Sequence, residues 1–239
     1  MRIGIITDAH ANLPALEAVL HLFCEQRCDL IVHTGDAVGI GPHPREVVET
    51  LMALDNAVLL QGNHDEYALR GSGHRHFALM SAEEQEHHAW VRTQVPAHLT
   101  AGMARWPHTH GLESSGIELY FCHYARMADD SDFAPILRNA EPADFDRLFG
   151  RSPRSMVFHG HAHPTAVIHG ESTYICPGAF GVWGFPIAPY AILTLSESDP
   201  PDLQLNTVPY DGDAVLRDLE IRRVPARDLV KRAFYGVGS

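Results

Sequence analysis

Three short apolar runs near the start of the chain constrain its fold more than any other feature. They are 2–7 (RIGIIT), 29–34 (DLIVHT) and 56–61 (NAVLLQ). Runs this short, rich in Ile and Val and bounded by turn residues, read as buried strands. The first two are followed by helical patterns. Leu13, Leu16, Val19, Leu20 and Phe23 recur at helical spacing, with Asn12 as N-cap and Pro14 in the first turn. Pro44 opens a second helix that runs to about residue 54. Strand, loop and helix in alternation imply parallel strands covered by helices.

The pattern changes after Arg70. Residues 71–77 are flexible in composition, and 81–95 read as a polar helix. A hairpin is expected over 99–123, from TAGMARW through a turn near Glu113–Gly116 to IELYFCHY. A helix over 141–149, a strand at SMVFHG, two short strands within 165–176, and the strands YAILTL and LQLNTVPY follow. The C-terminus reads as a helix from Asp213 and a second one started by Pro225. Strands adjacent in sequence dominate this half. Two sheets packed face to face with helices outside therefore fit better than one doubly wound sheet. The chain reads as one domain over 1–239, with 71–115 as an insert or lid and 211–239 as a C-terminal helical segment.

The net charge of −12 argues against polymeric nucleic acid as a partner, because phosphate chains call for clustered Lys and Arg. A single nucleotide stays open if a bound metal supplies positive charge. Cys24, Cys28, Cys122 and Cys176 have no zinc-ribbon spacing and no disulfide framework. The N-terminus MRIGIITDAH is not a signal peptide, and no window is long and apolar enough for a membrane span. A cytoplasmic location without membrane contact is the expectation.

The chemistry-bearing residues collect where strands end. Asp8 and His10 follow the first strand, Asp36 the second, and Asn63, His64 and Asp65 the third. His123 ends IELYFC, and His161 and His163 follow SMVFHG. The carboxyl edge of an open α/β sheet is where sites form. In extended backbone, residues i and i+2 face the same side, so Asp8 with His10 and His161 with His163 are expected to converge. Gly35, Gly62 and Gly160 each precede a candidate ligand and let the backbone come close. Carboxylate, amide oxygen and imidazole together suit Mn²⁺, Fe or Zn²⁺ better than Ca²⁺. The ligands are too many for one small ion, whereas two ions about 3.5–4 Å apart, sharing one carboxylate, would use them all.

These residues give Asp8-Ala9-His10, Gly35-Asp36, Gly62-Asn63-His64-Asp65, His123 and Gly160-His161-Ala162-His163. Taken in order, they resemble the signature of the calcineurin-like metallophosphoesterases, D-x-H, G-D, G-N-H-D/E, H, G-H-x-H. The stretches DAHANLPALEAVL, GDAVGIGPHPREVVETL and CPGAFG, with YAIL and VPYD, also resemble the YfcE-type phosphodiesterases of that family. The resemblance implies a four-layer α/β/β/α sandwich. It implies that Asp8, His10 and His163 hold one metal, that Asn63, His123 and His161 hold the other, and that Asp36 bridges them. It further implies that His64 approaches the phosphate and that Asp65 orients His64.

The resemblance points to a dinuclear metal-dependent phosphoesterase, an enzyme acting on phosphodiesters by attack of a metal-bridging hydroxide. The two divalent ions would be Mn²⁺, with Fe, Zn or Ni as alternatives. The substrate would be a small phosphate ester, with a nucleotide as one candidate. The competing readings are a phosphomonoesterase, a dinucleoside polyphosphate hydrolase, and a non-catalytic protein-interaction scaffold. Scaffolds of this fold lack ligands that are all present here.

Two departures from the YfcE-type pattern matter. Ala11 stands where Gly is usual, and CPGAFGVWGFPIAPY brings Phe180, Trp183 and Phe185 where a Ser and an Arg are common. Those rings suit base stacking, a core or a homodimer interface. Seven further histidines (His74, His76, His87, His88, His98, His108 and His110) read as a solvated insert, with a lid hinged at Gly71 and Gly73 as the alternative. His33 and His159 are candidates for an outer hydrogen bond to a ligand imidazole. Arg45, Arg70 and Arg126 are candidate phosphate clamps that read first as exposed charges.

Overall fold

The computed structural model of this chain describes residues 1–237 apart from 115, 152, 154, 183 and 197. Strands β1 (Arg2–Ile6), β2 (Leu30–His33) and β3 (Ala57–Leu59) run parallel, with Ile6, His33 and Leu59 in one row. Asp8, Asp36 and Asn63 therefore all emerge at the same sheet edge. Helices α1 (Leu13–Glu25) and α2 (Pro44–Met52) make the crossovers. The Asn12 side chain caps α1 by accepting from the Ala15 N–H at 3.3 Å. Gly4 on β1 lies beneath α1, where a Cβ would meet the Phe23 ring at 2.7 Å, so the glycine sets how closely helix and sheet approach.

After β3 the chain turns directly into α3 (Asn63–Arg70), so GNHDE is a helix start and not a loop. The Asp65 carboxylate accepts from the Gly62 N–H at 2.9 Å, which satisfies an orphan donor of the first turn. Two 3-10 turns, Gly71–Gly73 and Arg75–Leu79, lead to α4 (Ala82–Gln94), capped reciprocally by Ser81 and Glu84. The segment read as a first hairpin arm is instead α5 (Ala97–Met103). Leu99 and Met103, four apart, are both buried, and a period of four outweighs the strand reading.

The second sheet comprises β4 (Thr109–Ser114), β5 (Ile117–Cys122), β6 (Met156–Phe158), β7 (Ala166–His169) and β8 (Thr173–Cys176), with α6 (Pro142–Phe149) on its outside. Its order is β4-β5-β6-β8-β7, with β5, β6 and β8 parallel. Strands β9 (Ile187–Thr194) and β10 (Asp202–Pro209) return to the first sheet, antiparallel, beside β1. Helices α7 (Gly212–Ile221) and α8 (Arg227–Ala233) close the chain.

Alternation along the strands sorts the layers. Ile3, Ile5, Val32, Phe121, Phe158 and Leu193 meet between the sheets. Ile6, Ile31 and Ile192 face α1, α2, α4, α5 and α7, while Val157 and Tyr174 face Phe145 of α6. This is the expected α/β/β/α sandwich. Each fully buried aliphatic side chain contributes about 1.5–3 kcal/mol, so the faces are strongly specified. Phe180 is fully buried in the helix-side core, and Phe185 packs on Tyr210 and Tyr235. Trp183 lies outside the described residues.

Glu66 of α3 ties several separate segments together. Its carboxylate is fully buried and lies 2.7 Å from His108 Nε2, 2.9 Å from Arg126 Nη1, 3.0 Å from His74 Nε2 and 3.6 Å from Arg70. Burial alone would raise its pKa. His108, Arg126, Arg70 and His74 override burial and hold it at about 2, against a usual 4.5. A group depressed in this way contributes stability above its unfolded value and loses it as pH falls through its folded value. Glu66→Gln is therefore expected to cost about 3 kcal/mol at pH 7, with the gap to wild type narrowing by about pH 3. Urea titrations at the two pH values check this, and an equal gap at both would refute it.

Candidate metal centre

The site forms where loops from both sheets are laced by backbone hydrogen bonds. The N–H groups of Asp8, His10 and Ala11 donate to Gly35, Asp36 and Ala37 carbonyls at 2.8–2.9 Å. The Gly160 N–H donates to the His123 carbonyl at 2.8 Å, which joins the two loops of the second sheet. A Cβ on Gly62 would collide with the Asp36 carboxylate, and one on Gly160 with Thr7 and Asp8, so only glycine fits either approach.

The expectation that extended backbone aims the i, i+2 pairs is corrected. Asp8, His10, Asp36, His161 and His163 have φ of 49°, 45°, 60°, 65° and 74°. This left-handed region is uncommon outside glycine but is visited by Asp and His, and it costs about 1–3 kcal/mol per residue. Ala11 shares it at 51°. The sharp turns this allows send His161 and His163 into different groups, while Asp8 and His10 stay together.

One group is Asp8, His10 and His163. His10 Nε2 and His163 Nε2 are 3.1 Å apart, and Asp8 Oδ1 lies 3.6 and 3.7 Å from them. A second is Asp36, His123 and His161, with the Asn63 Oδ1 oxygen 3.0 Å from His123 Nε2, and a third, His10, Asp36 and His64, overlaps both. Asp36 Oδ2 stands between the groups, 3.3 Å from His123 Nε2 and 4.0 Å from His10 Nε2. Every one of the seven sequence-derived ligands is thus drawn to one place. Two nitrogens and a carboxylate oxygen converging on a common point form a donor set that suits a divalent cation.

The charges tell the same story. Asp8 and Asp36 are fully buried. Burial alone would raise both carboxyls. The imidazoles of His123, His163 and His10 around Asp8, and of His123, His64 and His10 around Asp36, hold both below the usual range. His123 shows the reverse. Burial would lower it, but Asp36 and Asp8 push it up to about 9. His10 and His161 stay neutral, lowered to about 4 chiefly by burial. One imidazolium facing two buried carboxylates leaves a negative field that cations would neutralise.

The outer bonds of the ligand imidazoles go to backbone. His123 Nδ1 donates to the Thr34 carbonyl at 3.1 Å, and His10 Nδ1 faces the Val38 carbonyl at 3.4 Å. His33 and His159 do not take that place: His33 Nδ1 accepts from Gly35 N–H, and His159 Nδ1 donates to the Gly160 carbonyl. Thr7, which gave no signal in the sequence, donates to Asp8 Oδ2 at 2.6 Å.

His64 begins α3 beside the centre. Its N–H donates to Asp36 Oδ1 at 2.8 Å, and its ring lies 5.0 Å from that of His10. Nδ1 is buried without a partner among the described residues. Burial first, then the nearby His10 and His88, keep the imidazole well below its usual pKa. The Asp65 carboxylate accepts from the N–H groups of Asp36, Ala37, Val38 and Gly62 at 2.9–3.3 Å. Both oxygens are committed to backbone, so Asp65 fixes the turn that carries Asp36 and the start of α3, where His64 sits. Burial and the Asp36 charge push its carboxyl up to about 7, against those four donors.

A cleft of about 750 Å³ opens beside Asn63, His64 and His161. Its walls include Tyr67, Arg75, His76 and His88, so part of the histidine-rich region belongs to the site. His74, His87 and His88 are buried, which overturns the solvated reading for these three, while His76 and His98 are exposed. His87 Nε2 accepts from the Ile40 N–H and its Nδ1 donates to the Pro225 carbonyl, which fixes its tautomer. Arg45 pairs with Glu49, while Arg70 and Arg126 pair with Glu66, so all three guanidinium groups are engaged away from the centre. Among the described residues, no helix is long and apolar enough to cross a membrane.

Comparison with known proteins agrees with this geometry. Over its whole length the chain is similar to a hypothetical protein from Pyrococcus horikoshii OT3, with a TM-score of 0.79 at 15% identity, covering 100% of this chain and 99% of that one. It is likewise similar to a metallophosphoesterase from Sphaerobacter thermophilus, with a TM-score of 0.71 at 26% identity and 99% of each chain covered. An uncharacterized protein from Methanocaldococcus jannaschii is 43% identical over 63 residues, which span 26% of this chain and 26% of that protein. The model of the calcineurin-like phosphoesterase superfamily domain matches residues 1–198, a stretch that carries both sheets' contributions to the metal centre. The chain belongs to the calcineurin-like phosphoesterase superfamily.

Proposed function

We propose that this chain is a dinuclear metal-dependent hydrolase of phosphodiesters, with Mn²⁺ as its working ion. The observation that supports this reading most is the Asp36 carboxylate, grouped with His123 and His161 and also within reach of His10 of the Asp8 group. Asp8, His10 and His163 would hold one ion, Asn63, His123 and His161 the other, and Asp36 both. Bound there, two such ions supply an acidified water and positive charge for phosphoryl oxygens. A scaffold has no use for seven converging ligands with a buried imidazole beside them.

The chain's own groups then do the rest. Asp8 and Asp36, kept ionised by their surroundings, hold the centre's negative charge at fixed positions. His64 lines the cleft next to Asn63 and His161, within the space an ester bound at the centre would fill. Being neutral when the cleft is empty, it offers one N–H donor to a phosphoryl or leaving oxygen. A dianionic or monoanionic phosphate drawn in beside it favours the protonated form and hence proton donation to the departing alkoxide. The His64 backbone bond to Asp36 keeps this donor in register with the metal ligands. The walls formed by 75–88 suit a lid that shields the ester from bulk water. The substrate would be a small ester, with a nucleotide among the candidates.

Three outcomes follow. Mn²⁺-loaded wild type should retain two ions per chain after desalting and hydrolyse bis-p-nitrophenyl phosphate, with chelation abolishing turnover and Mn²⁺ restoring it. Asp36→Ala should lose bound metal and turnover together. His64→Ala should keep both ions while kcat falls by about 10²–10⁴. Metal analysis beside steady-state kinetics checks each variant. Metal content and activity in Asp36→Ala equal to wild type would sink the reading.

A further inference from the structure

A second cleft, of about 480 Å³, shares His161 with the one that contains His64. The two meet at Ile136, Arg138 and His161, which line both. Their characters differ. The first holds His64, Arg75 and His76, whereas the second is walled by Tyr124, Phe145 and Ile168 and touches His161 and His163 of the metal centre. A phosphodiester has two arms, and its phosphate at the centre would direct one arm to each side.

We propose that the second cleft is the subsite for the arm that stays on phosphorus, and that it takes a planar ring bearing a hydrogen-bond donor, as a nucleoside base does. This rests on the phosphoesterase reading above. The leaving arm belongs in the first cleft, because His64 lines that one and is absent from the lining of the second. The retained arm is then assigned to the second cleft, which touches both His161 and His163.

The interior of the second cleft states what it would recognise. His159 lines it and is 2% exposed. Its Nδ1 must donate to the Gly160 carbonyl at 3.1 Å, since a carbonyl only accepts, and this makes Nε2 the acceptor. Nε2 is buried with no partner among the described residues. Burying an acceptor unpaired is unfavourable, and a ring N–H or amino group arriving with the arm would satisfy it. The Tyr124 ring lies 5.7 Å from His159 and 5.3 Å from His161, so an aromatic wall runs from that acceptor to the metal ligands. Arg138, exposed at the junction, makes no ion pair among the described residues and is free to meet the phosphate.

A monoester has no retained arm, which gives the test its contrast. Ala166→Trp fills the second cleft from β7. The ratio of kcat/KM for the p-nitrophenyl ester of thymidine 5′-phosphate to that for p-nitrophenyl phosphate should fall about tenfold or more, through KM, the scale of one stacked base. An unchanged ratio overturns the proposal. If that variant does not fold, His159→Phe keeps a planar ring and removes the acceptor, and the same ratio should fall. Should wild type hydrolyse neither ester, the phosphoesterase reading fails by itself. Calorimetric titration with thymidine then decides the cleft: binding to wild type that weakens about tenfold in Ala166→Trp upholds it, and no binding overturns it.

Discussion

The structure is organised around two carboxylates that water cannot reach. Removing a carboxylate from water costs several kcal/mol unless charge and hydrogen bonds replace the lost hydration. Asp36 meets that cost with the His64 N–H, the His123 imidazole at 3.3 Å and His10 at 4.0 Å. Asp8 meets it with the Thr7 hydroxyl and the His161 N–H. These donors come from loops of both sheets, so the two sheets cannot slide without uncovering charge. The same convergence that compensates the carboxylates also builds the candidate cation site, so stability and the proposed chemistry share one geometry.

Around this centre, backbone does more work than side chains. The ligand-bearing loops are held by main-chain pairing, by Asp65 gripping the amides of Asp36, Ala37 and Val38, and by carbonyl partners for His123 and His10. Left-handed turns at five of the seven candidate metal ligands are tolerated because this network over-determines them. Glu66 plays the corresponding part for the cleft. It gathers His74, His108 and Arg126, so the segment after α3, the approach to β4 and the loop beyond β5 keep fixed relative positions beside His64.

Much of the fold was legible because strand and helix periods are local. Ile3, Ile5 and Ile6 already sort into two faces, and α1 follows from its spacing and its Asn12 cap. Where the period was broken, reading failed. In α5, Leu99 and Met103 were lost among small residues, and in α4 the buried face is made partly of His87 and His88, which look polar in any apolar count. GNHD carries turn residues that in fact start a helix, because Asp65 satisfies its first amide. Arg126 reads as a surface charge until Glu66, 60 residues away, is brought beneath it.

The sequence by itself determined most of the strands and helices and which residues are candidate metal ligands, because residue type and motif order are properties of the chain alone. Only the tertiary structure decided that the left-handed turns at Asp8, His10, Asp36, His161 and His163 aim these side chains, and which backbone atoms orient them. It alone also decided that His161 lines two clefts. These are distances between residues up to 155 positions apart, and they arise when two sheets pack with their carboxyl edges together.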